Sequence, residues 1–309
     1  MKTSEKRTIV KRTVGDRTWL STYRSDFAPV NRPFKYEILE TEEAVGQAMF
    51  EELVSYAAAK DGDITMVLLG GRGAQAMYGI INRLAETSEI DGLLSRLHVF
   101  TQDALAPMRM NNSLSFVRDF ERLLGPNFFK KVKSFTPMQT ETRDVEGGLI
   151  KYLETLEGLG GIDIFFIGLG PEADAASHLC YIKPGSGAAH GDIAGIIPIS
   201  SSILEHHIGK FKVGGSEVSP DDEAECRNAT HILTLGPATI LGAKRIVQSI
   251  VDASTAPGKP ASFKSMIETE ISTDPEVAAK QCDENPGLWV RLHSNVRSLI
   301  LPDVLTENV

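Results

Sequence analysis

Apolar positions in this chain alternate between a helical spacing and short unbroken runs. From Glu42 to Ala59, Val45, Met49, Leu53 and Ala57 recur every fourth residue, which predicts one buried face of a helix. Ile64–Leu69 is a continuous apolar run closed by Gly70 and Gly71, and a helical pattern follows from Ala74 to Leu84. A buried strand, a glycine turn and a helix in that order make half of a βα unit. The unit recurs. Leu97–Phe100 predicts a strand ending at Thr101-Gln102-Asp103, followed by helices over Leu114–Leu124 and Glu146–Leu156. Ile162–Ile167 is the most apolar run and ends in Gly168-Leu169-Gly170. Further strands are expected at Ile193–Ile199, His231–Leu235 and Leu288–Leu292, with helices at Thr239–Ala253 and Pro260–Thr269.

Alternating strands and helices argue an α/β fold with a mainly parallel sheet. No repeat, low-complexity tract or linker divides the chain, so one domain is expected over 36–309. Residues 1–35 have mixed charge and little periodicity, and read as an N-terminal extension that wraps the domain or joins a neighbouring subunit.

In parallel sheets ligands bind beyond the carboxyl ends of strands. Three such ends carry candidate chemistry. Gly70-Gly71-Arg72-Gly73 brings backbone N–H groups and one guanidinium to a helix start, which suits an anion; a plain tight turn reads the same way. The spacing is neither a P-loop nor a dinucleotide fingerprint. Asp103 follows a strand in an uncharged stretch, as a general base or as a turn cap. Gly168–His178 holds Glu172, Asp174 and His178, where a carboxylate can orient the imidazole; an exposed polar loop is the alternative. The adjacent His206 and His207 read as surface residues.

Composition narrows the partners. The chain has 309 residues with a net charge of −9, and lacks the pooled Lys/Arg expected of a nucleic-acid binder. No run of 18 apolar residues implies a membrane span. The charged N-terminus has no apolar core of a secretory signal. The cysteines Cys180, Cys226 and Cys282 are three and widely spaced, so neither a disulfide framework nor a zinc site is read, and a reducing cytoplasm is expected.

Taken in order, these segments resemble the glucosamine-6-phosphate deaminase/isomerase and 6-phosphogluconolactonase superfamily, over roughly residues 37–303. Leu68–Tyr78 resembles its phosphate loop and following helix. Val99–Asp103, with Pro107 and Asn112-Ser113, resembles its strand ending in Asp, and Asn127-Phe128-Phe129 a deaminase element. Gly160–Asp163 with Gly168–Gly170 resembles the third motif; counted back from Pro184, its lid histidine falls on His178. Thr234–Ala243 and Leu288–His293 resemble later deaminase motifs.

The resemblance implies a single-domain, three-layer fold with a Rossmann-like sheet. It implies a sugar-phosphate isomerase or deaminase in which Asp103 moves a proton and His178 assists ring opening. Asp174 stands in for the family's Asp, because Ala176 occupies that place. Gly70, Gly71, Arg72, Gly73, Lys210 and Lys259 would bind the substrate's anion. The alternatives are a lactone hydrolase in which His178 activates water, and a sugar-phosphate-binding protein without catalysis. No metal, nucleotide or redox cofactor is implied; the partner is a small sugar phosphate or related anionic sugar, and a homo-oligomer is compatible. The departures are Arg72 and Gly73 in the phosphate loop, Lys183 at the deaminase's lid glutamate, and Ala104 and Leu105 after the candidate base.

Overall fold

The computed structural model describes residues 8–22 and 27–306. Its strands, in chain order, are β1 (Ile9–Val14), β2 (Arg17–Thr22), β3 (Tyr36–Ile38), β4 (Ile64–Leu68), β5 (Leu97–Thr101), β6 (Asp103–Ala106) and β7 (Ser134–Thr136). They continue with β8 (Ile164–Ile167), β9 (Gly170–Pro171), β10 (Ser177–His178), β11 (Asp192–Pro198), β12 (His231–Leu235), β13 (Arg245–Ile250) and β14 (Val296–Ile300).

Seven of them form a wholly parallel sheet in the order β3-β14-β13-β8-β4-β5-β7. From β4 the chain proceeds outward to β5 and β7, then returns to β8 on the other side of β4. The order therefore reverses between β4 and β8, and a crevice opens at the carboxyl ends of strands at such a switch point. The central strands β4 and β8 are buried along their whole length, which explains their unbroken apolar runs.

The helices carry their expected signals. Helix α1 (Glu42–Ala59) starts at Thr41, whose side chain accepts from the Ala44 N–H, and has Glu42 and Glu43 in its first turn. Next come α2 (Gln75–Ala85), α3 (Asp91–Leu94), α4 (Phe116–Lys131) and α5 (Val145–Gly158). Helix α4 is kinked at Gly125-Pro126, so the expected Leu114–Leu124 segment and the Asn127–Phe129 element share one element. The chain closes with α6 (Ser201–Val213), α7 (Pro220–Arg227), α8 (Pro237–Leu241), α9 (Lys259–Glu268), α10 (Pro275–Glu284) and α11 (Leu288–Leu292).

A second, antiparallel sheet runs β1-β2-β11-β12-β6. It takes the expected strands at Ile193–Ile199 and His231–Leu235, which lie outside the parallel sheet. It also takes the β1–β2 hairpin, drawn from the segment read as an extension. Trp19 of β2 is fully buried and donates to the Ser186 carbonyl at 3.2 Å, while Arg12 pairs with Asp192. Residues 1–7 and 23–26 of that segment lie outside the described residues.

Two expected elements differ. Leu288–Leu292 is a helix: its Leu288, Trp289 and Val290 are all buried, and an apolar run buried on every side carries no period to separate strand from helix. The strand lies further on, at β14. Thr239–Ala253 divides into α8, the Gly242 stop and β13. The Arg245–Ile250 segment is held between β8 and β14, where the sheet ladder overrides the helical spacing.

Candidate active site

Four neighbouring strands of the parallel sheet, β13, β8, β4 and β5, send their carboxyl ends to one cavity. Gly70, Gly71, Arg72 and Gly73 follow β4; Gly168–Gly170 follow β8; Gln102 and Asp103 follow β5; Ser249 and Asp252 end β13. His178, Cys180 and Tyr181 come from the segment after β9, and His206, Lys210 and Lys259 from α6 and α9. Of the residues singled out in the sequence, the structure thus brings together Gly70–Gly73, Asp103, His178, Lys210 and Lys259.

Asp103 sits where the chain leaves the parallel sheet and enters β6 of the antiparallel one, opposite Thr234. It caps no turn. Its side chain is buried and Oδ1 has no hydrogen-bond partner among the described residues. Burial raises its pKa above the usual carboxylate range, and the positive charge of Lys210 opposes this only in part.

His178 is buried, and its Nδ1 lies 2.8 Å from Glu172 Oε1. The carboxylate accepts the Nδ1 proton, which leaves Nε2 as the proton-accepting atom. Burial lowers the imidazole pKa and Glu172 works against that shift, so the ring is neutral at pH 7. Asp174, read as the partner carboxylate, lies elsewhere: it is exposed, adopts φ 55°, and does not line the cavity. The turn Ala173–Ala175 directs Asp174 outward, whereas the extended Glu172 follows β9 and so reaches across the β9–β10 pair to His178.

Glu172 is itself held by Lys183, whose Nζ is 3.5 Å from Oε2 and also donates to Ser200 and Ser202 at 2.9 and 2.8 Å. Burial alone would raise the Glu172 pKa, but His178 and Lys183 keep it below the usual range. The lysine at the deaminase's glutamate position therefore sits beside a carboxylate supplied from another turn. Ser177 fixes the base of β10, with its Oγ 2.5 Å from Asn285 Oδ1 and accepting from the Gly287 N–H at 3.0 Å.

The His178 ring lies flat against Gly170. A Cβ on Gly170 would stand 1.8 Å from Nε2, closer than any atom pair tolerates. Gly170→Ala is expected to push the ring off Glu172, lowering kcat about 100-fold while the melting temperature changes little. A variant that keeps both kcat and the hydrogen-bonded Nδ1 proton signal in NMR would refute this placement.

The three cations differ. Arg72 faces the cavity, but its guanidinium is engaged by Glu42 of α1, with Nη2–Oε1 at 2.7 Å and Nε–Oε2 at 3.3 Å. Lys259 is buried, donates to the Val251 carbonyl at 2.9 Å, and pairs with Asp252. The Lys210 side chain makes neither a hydrogen bond nor an ion pair among the described residues. Its ammonium sits 4.6 Å from the Tyr181 ring centre and 5.0 Å from that of Phe116. Burial lowers its pKa while Asp103 pulls it back up. Gly71, at φ 83°, turns the loop so that Lys210 lies against it; a Cβ there would meet the lysine at 3.4 Å.

The histidines of α6 depart from the surface reading. His207 is fully buried; Tyr181 O–H donates to its Nδ1 at 2.8 Å and its Nε2–H donates to the Leu114 carbonyl at 2.7 Å. His206 lines the cavity with its ring 5.7 Å from that of His178. One flank of α6 meets the core and the next meets the site: His207 is buried and His206 is half-buried at the cavity. Tyr181, Phe116 and Cys180 were not distinguishable in sequence from ordinary core residues, and only the lid's fold carries two of them here. Cys180 and Tyr181 both adopt positive φ, 49° and 59°, backbone strain of the kind that collects at functional sites.

This architecture is the Rossmann-like fold of sugar-phosphate deaminases and lactonases. A monomeric glucosamine-6-phosphate deaminase, described as a missing link of the NagB superfamily, superposes with TM-score 0.67 at 19% identity, over 89% of this chain and 100% of that one. The 6-phosphogluconolactonase from Trypanosoma cruzi gives TM-score 0.62 at 13% identity, over 90% and 98%. The 6-phosphogluconolactonase from Leishmania guyanensis gives 0.60 at 17%, over 92% and 99%. No protein-family model and no curated protein matches the chain.

Proposed function

We propose that this protein is an enzyme of carbohydrate metabolism that moves a proton between adjacent carbons of a sugar phosphate or related anionic sugar, in the manner of an isomerase or deaminase. Asp103 is the base, and His178, oriented by Glu172, opens the sugar ring as acid and base. The observation that carries this reading is the shared cavity: a buried carboxylate with a raised pKa and a neutral, carboxylate-held imidazole face the space into which Lys210 projects. A base poised above the usual carboxylate range has more drive to take a carbon-bound proton. Lys210 and the Gly70–Gly73 turn hold the distant anion, so binding remote from the reaction orients the sugar.

The lactonase reading remains the second, because the structural neighbours include 6-phosphogluconolactonases and because a neutral His178 with a free Nε2 suits activation of water. Solvent exchange separates them. With hexose phosphates, amino-sugar phosphates and sugar acids in D2O, the wild-type protein is expected to place deuterium at C1 or C2 of the sugar it binds. Lactone hydrolysis without exchange would select the second reading, and binding with neither reaction would reduce the protein to a sugar-binding one.

A further inference from the structure

Lys183 stands in an electrostatically mismatched place. Its ammonium donates to Ser200 Oγ at 2.9 Å and Ser202 Oγ at 2.8 Å, at the start of α6, where the Ser200 side chain also accepts from the Ile203 N–H. A helix N-terminus carries a partial positive charge and favours anions, so a lysine there does not serve the helix. What it does meet is Glu172. Oε2 of that carboxylate lies 3.5 Å from the ammonium, and Oε1 lies 2.8 Å from His178 Nδ1. Both side chains are half-buried, so water screens the contact less than it would at the surface.

The charges around the His178 ring oppose one another. Lys210 of α6 and Lys259 of α9 disfavour a charged imidazole, and the His206 ring stands 5.7 Å away; Asp103 lines the same cavity. Glu172 is the group that favours the charged ring, and a carboxylate at hydrogen-bond distance with no other partner does so strongly. Lys183 draws on that carboxylate from its far side.

We propose that Lys183 is a positioning residue: by holding Glu172 toward the start of α6, it lets the carboxylate orient His178 through Nδ1 without drawing the ring into its charged form, so that Nε2 stays a proton acceptor. The consequence for turnover rests on the reading of His178 as the acid and base of ring opening; the effect on the ring does not.

The test is an NMR titration of His178 in protein labelled at the histidine ring nitrogens. In the wild-type protein at pH 7 the ring is expected to be neutral and protonated at Nδ1; an imidazolium there would overturn the inference without any variant. Lys183→Gln keeps a donor for the two serines and drops the charge. Its His178 midpoint is expected to move to higher pH, because Glu172 is then left to the ring alone and one nearby cation is gone. Lys183→Arg, which keeps the charge, should hold the midpoint near that of wild type. In a Glu172→Gln background, adding Lys183→Gln should move the midpoint much less, since the lysine acts through the carboxylate. A lower melting temperature in Lys183→Gln with an unmoved midpoint would sink the proposal and leave Lys183 as a staple between the lid and α6. With a sugar that the protein turns over, the acidic limb of the pH–rate profile should follow the NMR midpoint upward. A midpoint that moves while the limb stays in place would uphold the positioning role and remove His178 from ring opening.

Discussion

Asp103→Asn is expected to slow proton exchange into the bound sugar by about 100- to 10,000-fold, the usual worth of a positioned base, while the sugar still binds. The same change should not cost stability at neutral pH. Asp103 is buried, its Oδ1 is unpartnered among the described residues, and its pKa is raised by that burial. A carboxyl whose folded-state pKa exceeds its unfolded value of about 4 favours the folded state when protonated. That advantage is lost as pH rises from the unfolded value through the folded one. The neutral asparagine escapes the loss, so at pH 8 the variant should melt at least as high as wild type, and the difference should vanish below about pH 4. Hydrogen–deuterium exchange into the sugar, read by NMR, and thermal melts across pH check both halves. Full exchange activity in Asp103→Asn would remove it as the base. A lower melting temperature at pH 8 would mean that its attraction to Lys210 outweighs its burial.

His178→Gln should be the second large loss, and its pattern is diagnostic. If His178 acts on ring opening, turnover of a cyclic sugar should fall about 100-fold or more. Exchange into a short sugar anion that cannot close a ring should survive nearly unchanged. If His178 instead activates water, the same substitution should abolish lactone hydrolysis, and Asp103→Asn should leave that hydrolysis largely intact. Glutamine retains a donor toward Glu172 but has no atom that takes a proton at neutral pH, so the comparison isolates proton transfer from ring placement. The Lys183 contact offers a further reading of this pair, because it steadies Glu172 rather than the ring itself.

Much of the site was legible along the chain because parallel-sheet architecture ties function to strand ends. The β4 run followed by glycines, the β5 strand ending near Asp103 and the β8 run ending in Gly168-Leu169-Gly170 are each local signals. Apolar runs say where buried strands stop, and the fold class then says that ligands gather there. The order of those strand ends, combined with a histidine in the segment after β8, was enough to anticipate that they would share a pocket.

Side-chain partnership was not legible, because it depends on which elements meet. Asp174 and Glu172 are two residues apart and chemically alike, yet the turn between them sends one to solvent and the other to His178. Arg72 looked like an anion donor, and its engagement by Glu42 follows only from α1 packing beside the turn after β4. Adjacent histidines on a helix carry no signal of which flank is covered; here His207 turns into the core and His206 to the cavity, while Glu205 and Gly209 of the same helix stay exposed. The runs at Arg245–Ile250 and Leu288–Leu292 carried hydrophobicity without a decisive period, and their conformations were decided by the neighbours they pack between. The sequence by itself determined the strand ends and the chemical groups beside them, since these follow from local patterning. The tertiary structure decided which charges pair with one another and which, at Lys210 and at Asp103 Oδ1, have no hydrogen-bond or ion-pair partner among the described residues, since burial and pairing arise only when distant segments meet.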